Sequence, residues 1–230
     1  MNFAQTKRIL SVLERHGVRY VLVGSMAMAA QGIVRATRDL DMFVSPESTN
    51  VDRLKAALQE LFADPEIETI RAEELAGEYP AIQYVPPAGD FWIDILTRLG
   101  TAFQFDDIES EELNIDGVRV RVATPRALSH EEGHGATAGP TGRRSAARAL
   151  PSRGGVMPVR KFRSVAEMMP PPSFPPRDPH NLKLACDLSE AATRLRPRRF
   201  PPGVYRYRSL EEANRLRRAW ERGEPLPLES

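Results

Sequence analysis

The chain has 230 residues and a single cysteine, Cys186, which excludes an intrachain disulfide. Its net charge of +1 conceals an asymmetry, because residues 1–128 hold 13 basic and 20 acidic side chains whereas residues 129–230 hold 19 and 11. We find no signal peptide, no apolar run of membrane-spanning length and no internal repeat. These observations argue against a secreted, a membrane or a repeat protein, and we expect a cytoplasmic one.

The first 63 residues predict alternating helices and strands. Residues 3–16 have apolar side chains at helical spacing, and Gly17 follows them as a helix end. Short apolar runs at 20–23 and 42–44 predict strands, and the Ala- and Met-rich stretch between them predicts a helix. A further amphipathic helix is predicted over residues 50–63. This alternation is typical of an α/β fold.

Gly24 and Ser25 lie at the turn between the first predicted strand and the helix that follows it. Glycine allows a sharp turn and a close approach of the backbone to a ligand. Ser25 can cap the helix, and the free N–H groups at a helix start attract anions. The pattern therefore predicts a phosphate site, although by itself it also fits an ordinary glycine turn.

Three acidic residues lie on predicted strands. Asp39 and Asp41 are two positions apart, so both side chains point to the same face of their strand. Asp94 is the only charged residue in the apolar run 91–96. If the two strands are neighbours, the three carboxylates converge and repel one another unless a cation such as Mg²⁺ lies between them. The alternative is that these acids lie at strand edges and face water.

The next stretch predicts further strands. Runs at 66–71 and 81–85 are strand-like, and the acidic residues between them are interpreted as solvated surface. A β-hairpin is predicted over residues 112–122, because Asp116-Gly117 is a strong two-residue turn signal. Thr124 and Pro125 then have the form of a helix start, but the apolar periodicity stops after Leu128. The acidic residues interpreted as solvated are Glu73, Glu74 and Glu78.

Residues 129–156 are rich in Gly, Ala and Arg and predict a linker without regular structure. Within them, His130 to His134 match the zinc-protease pattern H-E-x-x-H. That chemistry requires both histidines on one helical face, and Gly133 and its neighbouring glycines oppose a helix. We therefore reject a zinc site here.

Residues 157–230 form a basic tail that holds most of the 14 prolines found after residue 128. Two helices are predicted in it, one after Asp178 and one opened by a capping box at Ser209 and Glu212. Two such helices bury too little to be stable alone, so we expect them to pack on a partner. The tail arginines can bind RNA or DNA, keep the chain in solution, or face the acidic first part, and the opposite charges favour the last.

The order of Gly24-Ser25, Asp39-x-Asp41 and Asp94 resembles the nucleotidyltransferase superfamily of the polymerase-β type. The long gap after Gly-Ser and the form R-x-T-x-D-L-D over residues 35–41 are most similar to its AbiEii/MenT-like branch, which is associated with bacterial toxin–antitoxin systems. The resemblance covers about residues 1–128. The tail resembles the small companion proteins encoded beside such enzymes.

The resemblance implies an α/β fold with a mixed sheet flanked by helices for about residues 1–128, and the composition of the remainder predicts a disordered linker followed by a short helical tail. It implies transfer of a nucleoside monophosphate from an NTP to a hydroxyl of RNA, of a tRNA end or of a protein, in a toxin–antitoxin pair with an antitoxin-like companion. A small-molecule acceptor such as an antibiotic is an alternative. The catalytic residues and ligands of two Mg²⁺ ions would be Asp39, Asp41 and Asp94. The nucleotide-binding residues would be Gly24, Ser25, Arg35, Thr37 and Arg38.

In this family the helix after the hairpin carries a Lys and an Asp near the nucleotide. When the codons are read from the second base of the His130 codon, the genetic code permits a Lys-bearing sequence that resembles this helix. We therefore hypothesise that residues 129 to about 155 are an out-of-frame translation. The chain would then lack the late Lys and Asp, and an alternative function is a catalytically silent nucleotide-binding or interaction protein.

Overall fold

The structure, a computed structural model, describes residues 1–98, 104–132, 174–197 and 200–222. No helix among these residues is both long and apolar enough to cross a bilayer. In chain order the elements are α1 (Phe3–Arg15), β1 (Tyr20–Leu22), α2 (Gly24–Ala30), β2 (Asp39–Val44), α3 (Ser48–Phe62), a 3-10 helix (Pro65–Thr69), α4 (Ala72–Ala76), β3 (Ala81–Val85), β4 (Trp92–Leu96), a 3-10 turn (Phe105–Asp107), β5 (Ser110–Ile115), β6 (Val118–Ala123), α5 (Pro125–Glu132), α6 (Pro179–Leu195), β7 (Gly203–Tyr207) and α7 (Leu210–Arg222).

The strands form one mixed sheet in the order β5-β6-β1-β2-β4-β3-β7. The pairs β1–β6 and β2–β4 are parallel, and the other four pairs are antiparallel. Strands β2, β3 and β4 are almost entirely buried, as apolar runs without alternation predict. The predicted mixed sheet flanked by helices is confirmed.

Helix α1 packs against β6 of the sheet and also contacts α3. Helix α1 buries Ile9, Leu10 and Leu13, which lie on one face because they are three or four positions apart. Its start is fixed by a capping box, in which the Asn2 side chain accepts from the Gln5 N–H and the Gln5 side chain accepts from the Asn2 N–H. The helical prediction for residues 3–16 is therefore confirmed.

Two local predictions are wrong. Residues 66–71 were expected to form a strand, but Pro65–Thr69 form a 3-10 helix, because Asp64 caps it by accepting the Glu66 N–H at 3.1 Å. Because the apolar periodicity stops after Leu128, no helix was expected to continue from Pro125. A helix does form over Pro125–Glu132, and the Thr124 hydroxyl accepts the Ala127 N–H at 3.3 Å. The remainder of the predicted linker, with His134, lies outside the described residues.

The two predicted tail helices correspond to α6 and α7. Between them lies β7, which was not predicted and which pairs antiparallel with β3 from Gly203 opposite Val85 to Tyr207 opposite Ala81. Because β7 extends the sheet, this part of the tail packs on the first part of the chain. The division into core, linker and tail stays a prediction.

Basic side chains on and after β7 pair with acids that were expected to face water. Arg206 Nε lies 2.7 Å from Glu74 Oε2, and Arg208 Nη2 lies 2.8 Å from Glu78 Oε1. The interpretation of this acidic stretch as solvated surface is therefore wrong for Glu74, whose side chain is 29% exposed, and holds for Glu78, which is 59% exposed. Here the tail does face the acidic part of the chain, as the opposite net charges favour.

Candidate functional site

The register of β2 against β4 brings three carboxylates together. In this parallel pair Asp41 lies opposite Asp94, and Asp39 lies opposite Trp92. Because residues two apart on a strand share a face, both acids of β2 point to the side on which Asp94 lies. One carboxylate oxygen from each acid lies within 4.8 Å of the others. The convergence expected for adjacent strands is found.

The cluster is largely removed from water. Asp39 is 9% exposed and Asp94 is 6% exposed, whereas Asp41 is only half-buried. Burial raises the pKa of Asp94 to about 6, an effect that the Arg217 guanidinium opposes and the Asp39 carboxylate reinforces. A buried group of carboxylates requires a positive partner to remain ionised, so this site favours a cation.

In the structure that positive partner is Arg217, on α7. Its Nη1 lies 3.3 Å from Asp39 Oδ2, and its Nη2 donates to Asp94 Oδ2. The guanidinium carbon also lies 5.5 Å from the centre of the Trp92 ring. From the sequence Arg217 belongs only to the group of tail arginines, because no local pattern distinguishes it from the others.

Trp92 forms one wall of the cluster and was also missed. Its Nε1–H donates to Asp94 Oδ2 at 3.1 Å, so the indole orients this carboxylate. The ring of Phe200 contacts it edge-on, with the ring centres 4.6 Å apart. The only sequence signal was the spacing W-x-D, which places Trp92 and Asp94 on the same strand face.

Gly24 approaches the cluster so closely that only glycine fits. Its φ is +61°, and a Cβ at this position would lie 2.0 Å from Asp41 Oδ2. The Val23 N–H donates to the Asp41 carbonyl at 3.0 Å, which ties the start of α2 to β2. Ser25 is 5% exposed beside it. The structure thus places Gly24 against Asp41, with the buried Ser25 next in the chain, while their role with phosphate stays a prediction.

The remaining predicted nucleotide-binding residues precede β2. The Thr37 hydroxyl donates to Asp39 Oδ1 and so holds this carboxylate in place. Arg38 donates from Nη2 to the Arg196 carbonyl at 2.5 Å, so it faces the end of α6, and Arg35 is exposed. The structure brings Thr37 to the acids, whereas Arg38 is engaged with the tail.

The donor set fits a hard divalent cation. Mg²⁺ is bound in proteins through one or two carboxylates together with substrate phosphates, and this cluster offers carboxylate oxygens from three residues. In the structure the guanidinium of Arg217 supplies the positive charge beside two of these acids, Asp39 and Asp94.

Comparison with known proteins now decides the family. The family model described as "Nucleotidyl transferase AbiEii toxin, Type IV TA system" matches residues 8–128, which is more than half of the chain. The chain belongs to the AbiEii family. Membership confirms the resemblance on which the nucleotidyltransferase prediction depended, and all three clustered acids lie inside the matched range.

Two other comparisons add little to the AbiEii assignment. No curated protein matches the chain with significant similarity. A solved structure from Thermotoga maritima, provisionally assigned as a nucleotidyltransferase, is similar with a TM-score of 0.37 and 13% identity, over 57% of this chain and 85% of that chain. Arg217, Phe200 and β7 lie outside the AbiEii match, and the resemblance of the tail to a companion protein stays a prediction.

Proposed function

We propose that this AbiEii-family protein transfers a nucleoside monophosphate from an NTP to an acceptor hydroxyl and releases pyrophosphate. The observation that carries the proposal is the convergence of Asp39, Asp41 and Asp94 on two adjacent strands within the matched range. In the proposed role these acids hold two Mg²⁺ ions. When bound, the ions would neutralise charge on the triphosphate and favour ionisation of the acceptor hydroxyl.

The reaction is an in-line displacement. The acceptor oxygen forms a bond to the α-phosphorus, the bond from that phosphorus to the bridging oxygen breaks, and pyrophosphate departs with the electron pair. We assign Asp94 as the residue that helps remove the hydroxyl proton, and its buried position beside two other acids supports this role. Thr37 orients Asp39 through its hydroxyl.

Gly24 and Ser25 are the proposed binding residues for the β- and γ-phosphates. The contact of Gly24 with Asp41 supports this role, because it keeps the α2 start beside the acids. Arg35 and Arg38 are the proposed cationic partners of the triphosphate. Arg38 would first have to leave the Arg196 carbonyl to which it donates.

RNA, and in particular a tRNA end, is the acceptor that we favour, with a protein hydroxyl as the second choice. The family description supports action as the toxin of a toxin–antitoxin pair, with a separate antitoxin as partner. Incubation with labelled NTPs and either total RNA or total protein distinguishes the two acceptors by the fraction that carries the label. Label on neither fraction, with transfer to a small molecule, would support the antibiotic-type alternative.

The first test removes the charges of the metal site. We expect the double variant Asp39→Asn, Asp41→Asn to lose transfer to the background level of a reaction without protein, because two proposed ligands lose their charge. The protein should still fold, because the loss of the ion pair between Arg217 and Asp39 is offset by reduced carboxylate repulsion and Asp94 still accepts from Arg217. The matched control is Asp52→Asn on the exposed side of α3, which should keep full activity. Undiminished transfer in the double variant would overturn the site assignment.

A second candidate function is nucleotide binding without turnover. The contact of Arg217 with Asp39 and Asp94 favours it, because it leaves fewer carboxylates for the two metal ions that turnover requires. Mg²⁺-dependent binding of a non-hydrolysable NTP with no transfer to any acceptor fraction would support this alternative. Transfer at millimolar Mg²⁺ would exclude it.

A further inference from the structure

We infer that α7 is a built-in inhibitor of this site, and that its Arg217 guanidinium competes with divalent cations for the acidic cluster. The inference rests on the proposed metal-binding role of Asp39, Asp41 and Asp94. It adds a regulatory element from the part of the chain that lies outside the AbiEii match.

The contact of Arg217 imitates that of a bound cation. The guanidinium uses two nitrogens on two different acids, Nη1 at 3.3 Å from Asp39 Oδ2 and Nη2 on Asp94 Oδ2. A guanidinium only donates hydrogen bonds, and it carries its charge at every physiological pH. Because a metal ion needs the same two carboxylates, the ion and Arg217 exclude each other.

The helix that carries Arg217 is held by the sheet. Strand β7 pairs with β3 along its whole length, and the Tyr207 hydroxyl donates to Gln83 Oε1 at 2.9 Å in the buried layer. Helix α7 begins two residues after β7, beyond Arg208 and Ser209, and its start is capped reciprocally. The Glu212 N–H donates to Ser209 Oγ at 3.1 Å, and the Arg208 N–H donates to Glu212 Oε2 at 2.8 Å. These contacts hold α7 in the position that brings Arg217 to the acids.

The position of Arg217 on its helix is selective. Ala213 is buried and Leu216 packs against the core, which fixes the face that α7 presents to the sheet. Arg215 and Arg218 lie about 200° and 100° around the helix from Arg217, and both are exposed. One of the three arginines is therefore directed into the site by packing, and the other two provide matched controls.

The same segment covers the aromatic wall of the site. Phe200 contacts the Trp92 ring edge-on, and its N–H donates to the Gly89 carbonyl at 2.8 Å. Trp92 in turn donates to Asp94. Residues 200–217 thus occupy both the acids and the surface beside them, so metal binding requires that α7 be displaced.

The test measures metal binding by the full-length protein without nucleotide. Mn²⁺ affinity, measured by calorimetry or by the electron paramagnetic resonance of free Mn²⁺, is compared for the wild type, Arg217→Ala and the control Arg218→Ala. We expect Arg217→Ala to bind Mn²⁺ at least about tenfold more tightly, which corresponds to a site blocked nine-tenths of the time. Arg218→Ala should equal the wild type. Equal affinity of all three proteins would overturn the inference.

A second measurement needs no variant. Amide hydrogen exchange of the wild type is followed with and without saturating Mn²⁺, with Mg²⁺ as a repeat. We expect the ion to increase exchange in residues 210–222, because α7 must leave the site, while residues 203–207 of β7 stay protected as the internal control. Unchanged or slower exchange in α7 at saturating Mn²⁺ would contradict the competition.

Transfer assays on the same variants separate the two proposals. Tighter Mn²⁺ binding by Arg217→Ala without any transfer supports the inhibitory helix and counts against the proposed enzyme activity. Transfer that is lost in the Asp39→Asn, Asp41→Asn variant but unchanged by Arg217→Ala, together with equal Mn²⁺ affinities, supports the activity and overturns the inhibition. If no variant binds Mn²⁺, the metal site fails and the inhibition fails with it.

Discussion

At the scale of single residues, the site depends on how closely the backbone approaches Asp41. Gly24 takes a positive φ, and any side chain there would occupy the space of the Asp41 carboxylate. The sequence could identify Gly24 as a turn, because glycine before a helix is a recognisable signal. It could not identify Asp41 as the neighbour that forbids a side chain, since this contact joins two elements that are distant in sequence.

Gly24→Ala tests this close approach. We expect it to cost about 3 kcal/mol or more in the free energy of unfolding, because the new Cβ would clash with Asp41 and the backbone would be strained. Mn²⁺ binding should also fall, since Asp41 must move. Urea denaturation and calorimetry measure the two effects.

The control is Gly17→Ala. Gly17 has a similar φ of +65°, compared with +61° at Gly24, but nothing lies within 4 Å of its added Cβ. It should therefore show only the backbone penalty of about 1–2 kcal/mol and leave Mn²⁺ binding unchanged. Equal losses in both variants would mean that the contact with Asp41 is unimportant.

At the scale of elements, the sequence was most informative where a pattern is local. The D-x-D strand, the lone acid Asp94 and the Asp116-Gly117 hairpin were predicted because alternation and turn chemistry are short-range signals. Strand β7 was missed because its five residues, Gly203–Tyr207, are defined by pairing with β3 more than 100 positions earlier. The strand predicted at 66–71 failed for a local reason, because Asp64 and Pro65 start a 3-10 turn.

Tyr207→Phe tests how much the buried hydrogen bond between β7 and β3 contributes to stability. The variant leaves Gln83 Oε1 without its buried donor, so we expect a loss of about 1–3 kcal/mol in the free energy of unfolding. Tyr205→Phe is the matched control on the same strand, because the Tyr205 hydroxyl donates to the Pro201 carbonyl at an exposed position. It should cost well under 1 kcal/mol. A loss in Tyr205→Phe as large as that in Tyr207→Phe would refute a specific role for the buried hydrogen bond.

At the scale of the whole molecule, the opposite charges of its two parts are brought into contact. The acidic first part meets the basic tail through Arg206 with Glu74, Arg208 with Glu78, and Arg217 with the acidic cluster. Net charge was readable from the sequence, but the identity of the paired arginines was not, because it depends on the register of β7.

A double-mutant cycle measures this attraction. We expect Arg206→Ala and Glu74→Ala to be coupled by about 1 kcal/mol, because both side chains are only 25% and 29% exposed. The control is the exposed pair Lys183 and Asp187 within α6, which should couple by about 0.3–0.5 kcal/mol. Denaturation of the single and double variants at low and high salt gives both values. A coupling for Arg206 and Glu74 no larger than that of the control would mean that the charge asymmetry adds little to the packing of the tail.

The position of β7 at the end of the sheet limits how the protein can open. All five residues of β3 are buried, and β7 is the strand that covers their outer side. Detachment of the entire tail would leave an apolar strand with unpaired backbone groups, a surface that invites pairing with other chains and aggregation. Rotation of α7 alone, about Arg208 and Ser209, would uncover the acids while β7 remains in place. Arg208 and Ser209 would then act as a two-residue hinge that uncovers the site without exposing an edge strand prone to aggregation.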